Sequence, residues 1–580
     1  MAPFRFGVLV AVVAIAASAC GGATTSSPPA SQPAASQPAA SQPAAPSTAA
    51  SPSAAAGTPK NGGTLVYGLP GDMTLADPSL VSDSNSSEVQ LNVVQVLVGL
   101  KPGTISELVP VLASDLPTVS ADGLTWTYKL RTGIKFHDGT DFNADAVVYN
   151  YLRQKNAPKT LQDAYNYYFG AVFGFGTGSN LKSITAPDAS TVVMTLGTPQ
   201  SNFLLAQALP QFGIQSPTAL KAGDADNPDP SKSPYAQGQG GTGKSMVGTG
   251  PFMFKEWVPN DHVTLVKNPT YFDAAGAAHL DSVIFKPFKD KTAELNALQA
   301  GDIDIAQSVG PNDVKTVKAD ASLQVIDRGK SCNLLPLQLN NAVKPFDNPS
   351  IRQAIGYAVN KQAYADAFYG GLAEPANNWI PQGTADFKTE TLPTYDPQKA
   401  KSLIAASGVP ADQLNLTFTY PADVTRPYMP DPKGIAEAVA TDLEAVGFKV
   451  TFKTQPWAQM VPNFQSGKLA MWLSGWTCDW AGPDNFLISA FFYFTSDGKP
   501  NPQFSYGPAD LKAAFAAGLA ATSDAAAATA WGSAQDILAR DLPTVPLVNS
   551  KVPAAAKADV MGYPGAGNLE EPLYPVWLNR

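Results

Sequence analysis

LRTGIKFHDGT, residues 130–140, is the stretch of the chain that decides its fold. Ile134 and Phe136 alternate with polar residues and a glycine stands on either side of them, a pattern that predicts a strand entering a turn. A basic residue, a histidine and an acid lie close together in the stretch, which is also compatible with catalysis. Because no nucleophile accompanies His137 in sequence, we interpret it as a hydrogen-bonding residue of the turn and not as a general base.

Around this stretch, strands and helices alternate along the chain. Apolar runs and alternation predict strands at 64–69, 124–131, 183–196 (two strands around a Pro-Asp turn), 252–257, 263–267, 282–288, 414–420, 448–454 and 469–476. Amphipathic periodicity, with proline at starts and glycine at ends, predicts helices at 88–100, 292–301, 349–371 and 396–408. The sequence therefore predicts an α/β protein.

The composition excludes several classes of function. With 580 residues, 44% of them hydrophobic, the chain can bury the cores of more than one domain. A net charge of -9 without runs of lysine or arginine argues against nucleic acid as a partner. The three histidines are far apart and no Cys/His cluster has the spacing of metal ligands, so we expect neither a metal nor a cofactor.

The N-terminus predicts export. Residues 1–19 combine Arg5 with an apolar run, as in a secretory signal, and Ala17-Ser18-Ala19 before Cys20 resembles the bacterial lipobox, in which the cysteine is lipidated. Residues 20–61 are rich in Ala, Ser, Pro and Gln and predict a disordered tether. We therefore expect an extracytoplasmic body anchored to the cell membrane through Cys20, the alternative being ordinary secretion with cleavage nearby.

A series of motifs resembles one family in order and spacing, the extracytoplasmic solute-binding proteins of the peptide/nickel class, which serve ATP-driven importers. The motifs are GGTL (62–65), LADP (75–78), LVPVLA (108–113), DGLTW (122–126), LRTGIKFHDGT (130–140), GTGPF (248–252), GDID (301–304), FDNPSIRQA (346–354) and YDP (395–397).

The resemblance implies a two-lobed, type II periplasmic-binding-protein-like fold with an extra inserted domain. Lobe I would take 62–105, 245–325 and 540–580, the inserted domain 106–244, and lobe II 326–539. The glycine- and proline-rich stretch 227–250 is interpreted as a crossing between domains. The resemblance also implies a monomer that is not an enzyme, that binds its ligand in the interlobe cleft, and whose protein partners are the permease subunits of an ABC importer.

One segment stands out as a ligand site, GWTCDWAGPDNF at 475–486. Glycine and proline at 482–483 cannot continue the preceding strand, so Asp479 is expected at a strand end, where α/β proteins place ligand groups. Gly475, Trp476 and Asp479 fit a Gly-Trp-x-x-Asp segment of the family's peptide binders, which implies that Asp479 receives the α-ammonium of a peptide. The alternative is that Asp479 caps a turn.

Further ligand contacts are implied on both sides of the cleft. Trp457 occupies a place that resembles a side-chain pocket wall of the family. Trp472 is interpreted as lying in either the cleft or the core, and Trp480 as a further indole that suits a peptide or a sugar. The backbone at Ser82, Asp83 and Ser84 would flank the ligand from the facing lobe. Tyr165 would reach in from the inserted domain, unless it packs within a helix face.

Cys332 and Cys478 remain once Cys20 is lipidated. In an oxidising compartment two such thiols predict a disulfide, and some family members resemble this chain in joining the start of the second lobe to the cleft strand. The alternative is two buried free thiols.

Three other ligands or activities stay open at this level. An oligosaccharide would also stack on tryptophans, and no basic residue is found to hold a peptide's α-carboxylate, since the cleft strand carries Leu473 with Lys468 as its nearest cation. A nickel or metal-chelate ligand is disfavoured by the scarcity of histidine. An extracellular hydrolase would need a carboxylate pair such as Asp479 and Asp484.

Overall fold

The computed structural model describes residues 57–580 apart from 202, 496, 569 and 570. The signal at 1–19, the lipidation of Cys20 and the tether as far as residue 56 lie outside the described residues. Within the described part, none of the helices combines the length and the apolar character needed to cross a membrane.

The first large sheet has seven strands among the described residues. Its order is Leu323–Ile326, Ala554–Lys557, Ile305–Ala306, Thr64–Leu69, Ser282–Pro287, His262–Lys267 and Phe252–Val258. Thr64–Leu69 runs parallel to both of its neighbours. Its apolar residues Leu65, Tyr67 and Leu69 are buried, as the sequence predicts for a central strand.

The second large sheet positions the site. Its order is Ala373–Pro375, Val545–Ser550, Asn333–Leu339, Met471–Leu473, Asn415–Pro421 and Lys449–Gln455, and Trp476–Thr477 pairs separately with the start of Asn333–Leu339. All of Asn333–Leu339 is buried. Val545–Ser550, which the sequence prediction assigned to lobe I, pairs within this sheet, and the chain leaves the sheet after Ser550.

A four-stranded sheet lies within the predicted insertion. Its order is Thr118–Val119, Thr125–Lys129, Thr191–Leu196 and Leu181–Asp188. The two strands predicted at 183–196 are confirmed, but the turn lies at residues 189–190 and not at the Pro-Asp pair, which ends the first strand. Two short pairs complete the strands, Val98–Leu100 with Leu108–Pro110 and Val560–Met561 with Trp577–Leu578.

Two helices begin at an aspartate followed by proline. Asp396 and Asp431 precede prolines at the first helical position, and their side chains accept hydrogen bonds from the first-turn amides of Lys399 and Gly434. The α-helices are Ser84–Gln90, Ala144–Lys155, Lys159–Ala164, Tyr167–Phe173, Phe203–Gln207, Pro217–Ala222, Lys291–Ala300, Val314–Ala319, Pro349–Ala358, Lys361–Phe368, Pro397–Ala406, Pro432–Ala445, Trp457–Gln465, Ala509–Leu519 and Asp524–Asp541. Single turns of 3-10 helix lie at Pro78–Leu80, Gly176–Gly178, Pro210–Phe212, Pro230–Lys232, Ala274–Gly276 and Ala411–Leu414, and a π-helix at Asn485–Phe492.

The predicted helix at 88–100 is wrong. Helix Ser84–Gln90 ends early, and the residues after it bond to a distant segment: the amides of Gly250 and Phe252 donate to the carbonyls of Val93 and Asn92. A Cβ at Gly250 would lie 2.7 Å from the Val93 carbonyl oxygen, so the glycine allows this close approach. Hydrogen bonds to residues 250 and 252 therefore replace the helix that the apolar periodicity of 88–100 predicts.

Two other predicted elements are interrupted. The helix expected at 349–371 is two helices, because Val359 is extended and the Asn360 side chain caps Lys361–Phe368 by accepting from the amide of Ala363. The strand expected at 469–476 breaks at residues 474–475 into Met471–Leu473 and Trp476–Thr477.

The stretch 130–140 forms a turn in the core of the predicted insertion. Ile134 and Phe136 are buried there. The His137 ring donates from Nε2 to the Gly250 carbonyl at 3.0 Å, and burial lowers the pKa of His137 to about 4. The histidine is therefore neutral at pH 7 and hydrogen-bonds within the fold.

Candidate functional site

A cavity of about 590 Å³ is bordered by distant parts of the chain. One wall is the start of helix Ser84–Gln90 and the residue pair 167–168, and the other is formed by residues 426–428, helix Trp457–Gln465 and residues 474–479. Its volume is within the range of small-molecule sites.

Asp479 lies at the end of the short strand Trp476–Thr477. Its Oδ1 accepts from the hydroxyl of Tyr168 at 3.1 Å, and its Oδ2 accepts from the Asn485 amide at 3.0 Å. Burial raises the pKa of Asp479, and the two hydrogen bonds oppose that rise. No cation pairs with this carboxylate among the described residues, so it carries an uncompensated charge when ionised.

Asn485 organises this end of the cavity and was missed from the sequence. It is fully buried, and its Oδ1 accepts from the indole of Trp476 at 2.9 Å and from the amide of Asp479 at 3.1 Å. The Asn485 side chain thus holds both the Trp476 ring and the Asp479 carboxylate in position. The only sequence signal was its place at the start of an apolar run after Gly482-Pro483.

Gly475 is required by a close approach within the sheet. A Cβ there would lie 2.2 Å from the Leu334 carbonyl oxygen and 2.7 Å from the ring of Tyr428. Since real Cβ contacts are not this short, a side chain at 475 would displace Trp476 from its pairing with Leu334.

A cation borders the same cavity. The guanidinium of Arg426 lies 5.0 Å from the ring centroid of Trp457, and Arg426 forms no ion pair with any described residue. Stacking orients the guanidinium and leaves its N–H groups available to an anion. Arg426 was missed from the sequence because two helices and a strand separate it from the predicted cleft strand.

Comparison with known proteins identifies the family. Residues 107–498 match the model of the bacterial extracellular solute-binding proteins, family 5 (middle). This chain belongs to that family. It is 30% identical over 503 residues to Heme-binding protein A of Haemophilus influenzae, covering 84% of this chain and 87% of that protein. It is 29% identical over 462 residues to the Dipeptide-binding protein of Escherichia coli (strain K12), covering 77% and 82%.

Solved structures agree with the fold of this family 5 protein. The periplasmic binding protein DppA of Helicobacter pylori, in complex with the peptide STSA, superposes with a TM-score of 0.71 at 27% identity, covering 90% of this chain and 99% of DppA. HbpA2 of Haemophilus parasuis gives a TM-score of 0.77 at 26% identity, covering 89% and 100%. The predicted two-lobed α/β fold is confirmed.

Six of the residues predicted to contact ligand border the cavity of this solute-binding protein: Ser82, Ser84, Trp457, Gly475, Trp476 and Asp479. Four others do not: Asp83, Tyr165, Trp472 and Trp480.

Trp472 and Trp480 pack in cores. Trp472 is fully buried with its ring stacked against Phe464 and Phe504, at centroid distances of 5.9 and 5.6 Å. Trp480 packs against the core of the four-stranded-sheet region and donates its indole N–H to Asp484 at 3.0 Å. Trp472 thus lies in the core, one of the two environments expected for it, and Trp480 does not border the cavity. A pattern of tryptophans does not distinguish a core face from a cavity face.

Asp83 and Tyr165 have structural partners. Asp83 caps helix Ser84–Gln90 by accepting from the Ser86 amide at 2.8 Å. Tyr165 packs against an apolar cluster that includes Leu80 and Leu161, and it is Tyr167 and Tyr168 that border the cavity instead. The segment therefore reaches the cavity through Tyr167 and Tyr168 and not through Tyr165.

The structure joins Cys332 and Cys478 by a disulfide with Cα atoms 5.6 Å apart. The amide of Cys478 also donates to the carbonyl of Cys332 at 2.8 Å. The bridge holds the strand that precedes Asp479 against the start of Asn333–Leu339.

Asp484 does not form a facing pair with Asp479. Its Oδ1 accepts from Trp480, and it is not among the residues that border the cavity. The predicted carboxylate pair of a hydrolase is therefore not assembled in the cleft. No group of three or more potential metal ligands occurs within the described residues.

Proposed function

We propose that this protein captures a short peptide between its lobes and delivers it to an ABC importer. The observation that carries the proposal is a pair of unlike charges bordering one cavity, the Asp479 carboxylate and the Arg426 guanidinium. A zwitterionic peptide satisfies both groups at once.

The amino end of the peptide would bind Asp479. A buried carboxylate without a cation is costly, and an α-ammonium offsets the cost with a charge-assisted hydrogen bond. Trp476, fixed through Asn485, would pack beside the first residue. That relatives include the Dipeptide-binding protein of Escherichia coli and a Helicobacter pylori protein in complex with a peptide supports this choice of ligand.

The carboxyl end of a short peptide would bind Arg426. A guanidinium forms paired hydrogen bonds with a carboxylate, and its stacking on Trp457 reduces the rotamer freedom that binding would remove. The backbone at Ser82 and Ser84, on the opposite wall, would contact the middle of the peptide.

Calorimetry with chemically matched peptides tests both ends. Trialanine should bind more tightly than N-acetyl-trialanine and more tightly than trialanine amide, because each modification removes one charge. Equal affinity for the free and the N-acetylated peptide would overturn the role of Asp479. Equal affinity for the acid and the amide would overturn that of Arg426 without affecting that of Asp479.

An oligosaccharide is the second candidate, since the indoles of Trp457 and Trp476 both border the cavity. Native mass spectrometry of the protein purified without unfolding separates the two ligands by mass. A co-purified glycan, with no binding of peptides, would favour the sugar.

We further propose a membrane-anchored monomer with lobe I at 62–105, 245–325 and 551–580, the insertion at 106–244, and lobe II at 326–550. The strand Val545–Ser550 supports the revised limit. Lipidation of Cys20 is supported by the lipobox-like residues before it. Metabolic labelling with an alkyne fatty acid should label the protein, whereas Cys20→Ala should abolish both labelling and membrane retention.

A further inference from the structure

A second cavity of about 230 Å³ includes neither Asp479 nor Arg426 among its bordering residues, and it adjoins the first cavity at Asn568. It is bordered by the segment after helix Ser84–Gln90, by the strand pair 98–100 and 108–110, and by the aromatic residues Tyr271, Phe272 and Tyr574. The proposed peptide function uses none of these aromatic residues. An engineered cavity of about 150 Å³ is known to hold benzene, so this one has room for an aromatic ring with a short substituent.

Arg131, from the stretch that decides the fold, borders this cavity with an unpaired side chain. Its Nε is buried without a hydrogen-bond partner, and the residue forms no ion pair within the described part of the chain. The terminal N–H groups of Arg131 have no hydrogen-bond acceptor among the described residues either, so a ligand carboxylate can accept from them.

Several neighbouring polar groups are already engaged, whereas the side-chain oxygen of Asn568, which also borders the cavity, is buried without a hydrogen-bond partner. The Tyr271 hydroxyl accepts from the Gln95 amide at 2.7 Å, and the Gln95 carbonyl oxygen accepts from Thr249 at 3.0 Å. Asp273 also borders the cavity, but its Oδ1 accepts from the amide of Ala275 at 3.0 Å. Arg131 is thus the cation whose hydrogen-bonding capacity is unused here.

We propose that this cavity is a second ligand site, for a small aromatic monocarboxylate whose ring packs among Tyr271, Phe272 and Tyr574 and whose carboxylate accepts from Arg131. The site is independent of peptide binding at Asp479 and Arg426, and neither proposal requires the other.

Three matched probes test the charge that the site prefers: phenylacetate, neutral phenylacetamide and cationic phenethylamine. Titrations of the purified protein by calorimetry and by ligand-observed NMR should show saturable binding of phenylacetate, at least about tenfold tighter than either of the others. Absence of saturable phenylacetate binding at millimolar concentration, or preference for phenethylamine through Asp273, overturns the proposal.

Variants locate the bound probe. Arg131→Gln should weaken phenylacetate binding about tenfold or more, and Arg131→Lys should retain part of it. Arg426→Gln is the matched control, because it removes the cation of the other cavity and should leave phenylacetate affinity unchanged. If Arg426→Gln rather than Arg131→Gln abolishes binding, phenylacetate occupies the peptide cleft and the second site is overturned. Trialanine affinity of Arg131→Gln, together with its thermal unfolding, verifies that this variant is folded.

Discussion

The Asp479 carboxylate lowers the stability of the unliganded fold, and the same charge is the group proposed to bind a ligand ammonium. Its pKa is raised by burial, so the folded protein holds the proton to higher pH than the unfolded chain does. The unliganded protein therefore loses stability as the pH rises from the ordinary aspartate pKa through the raised one, and it stays less stable above that. An ammonium ligand removes this cost by pairing with the charge.

Replacing Asp479 by asparagine should separate its effect on peptide affinity from its effect on folding stability. We expect Asp479→Asn to weaken trialanine binding by about 3 kcal/mol, roughly a hundredfold, because a charge-assisted bond in a water-poor cavity is lost. The same variant should raise the melting temperature of the unliganded protein at pH 7. Asp484→Asn is the matched control outside the cavity and should leave trialanine affinity unchanged. Lower stability of unliganded Asp479→Asn would contradict the argument.

The raised pKa also predicts how peptide affinity depends on pH. Only the ionised carboxylate pairs with the ammonium, so affinity should be constant from the pKa of the free protein up to about pH 7, where the peptide's α-amino group is still protonated, and fall as the pH drops through that pKa. Because that pKa is raised, the loss should begin at a higher pH than for an ordinary aspartate. Calorimetry between pH 7 and pH 4 measures this, and Asp479→Asn should show a flatter profile.

At the scale of elements, sequence patterns correctly predicted the strands and helices that depend on residues close together in the chain. Buried runs and capping residues located Thr64–Leu69 and Pro397–Ala406 because burial and caps act within a few residues. The segment after Ser84–Gln90 was missed because its backbone bonds to residues 250 and 252. In the site, Asp479 follows from a short motif, whereas Arg426 is brought to it only by the path of the second sheet.

The disulfide links two elements of that sheet and should stabilise them mainly through the unfolded chain. The cysteines are 146 residues apart, and closing a loop of that length is worth up to about 5 kcal/mol in the chain-entropy model. The double variant Cys332→Ala/Cys478→Ala should therefore unfold at clearly lower urea concentration than the native oxidised protein. Reducing agent should lower the stability of the native protein and leave that of the double variant unchanged, and a reductant effect on the variant would contradict this.

At the scale of the molecule, the chain passes between the two large sheets at residues 327–332 and 551–553. Arg328 lies on the first crossing, fully enclosed, with its Nε 2.5 Å from Glu571 Oε1 and its Nη2 2.7 Å from Glu571 Oε2. Its Nη1 donates to the carbonyl of Val552, on the second crossing, at 2.8 Å. One guanidinium thus ties together both segments about which the lobes would hinge.

Removing this cation should destabilise the whole molecule. Arg328→Met leaves the buried Glu571 carboxylate without its cation, which we expect to cost about 3–5 kcal/mol in urea unfolding. Adding Glu571→Gln removes the orphaned charge, so the double variant should recover part of that loss. Small-angle scattering with and without trialanine then shows whether lobe closure survives in the double variant. Equal destabilisation of the single and the double variant would mean that Arg328 acts through its backbone acceptors and not through the charge of Glu571.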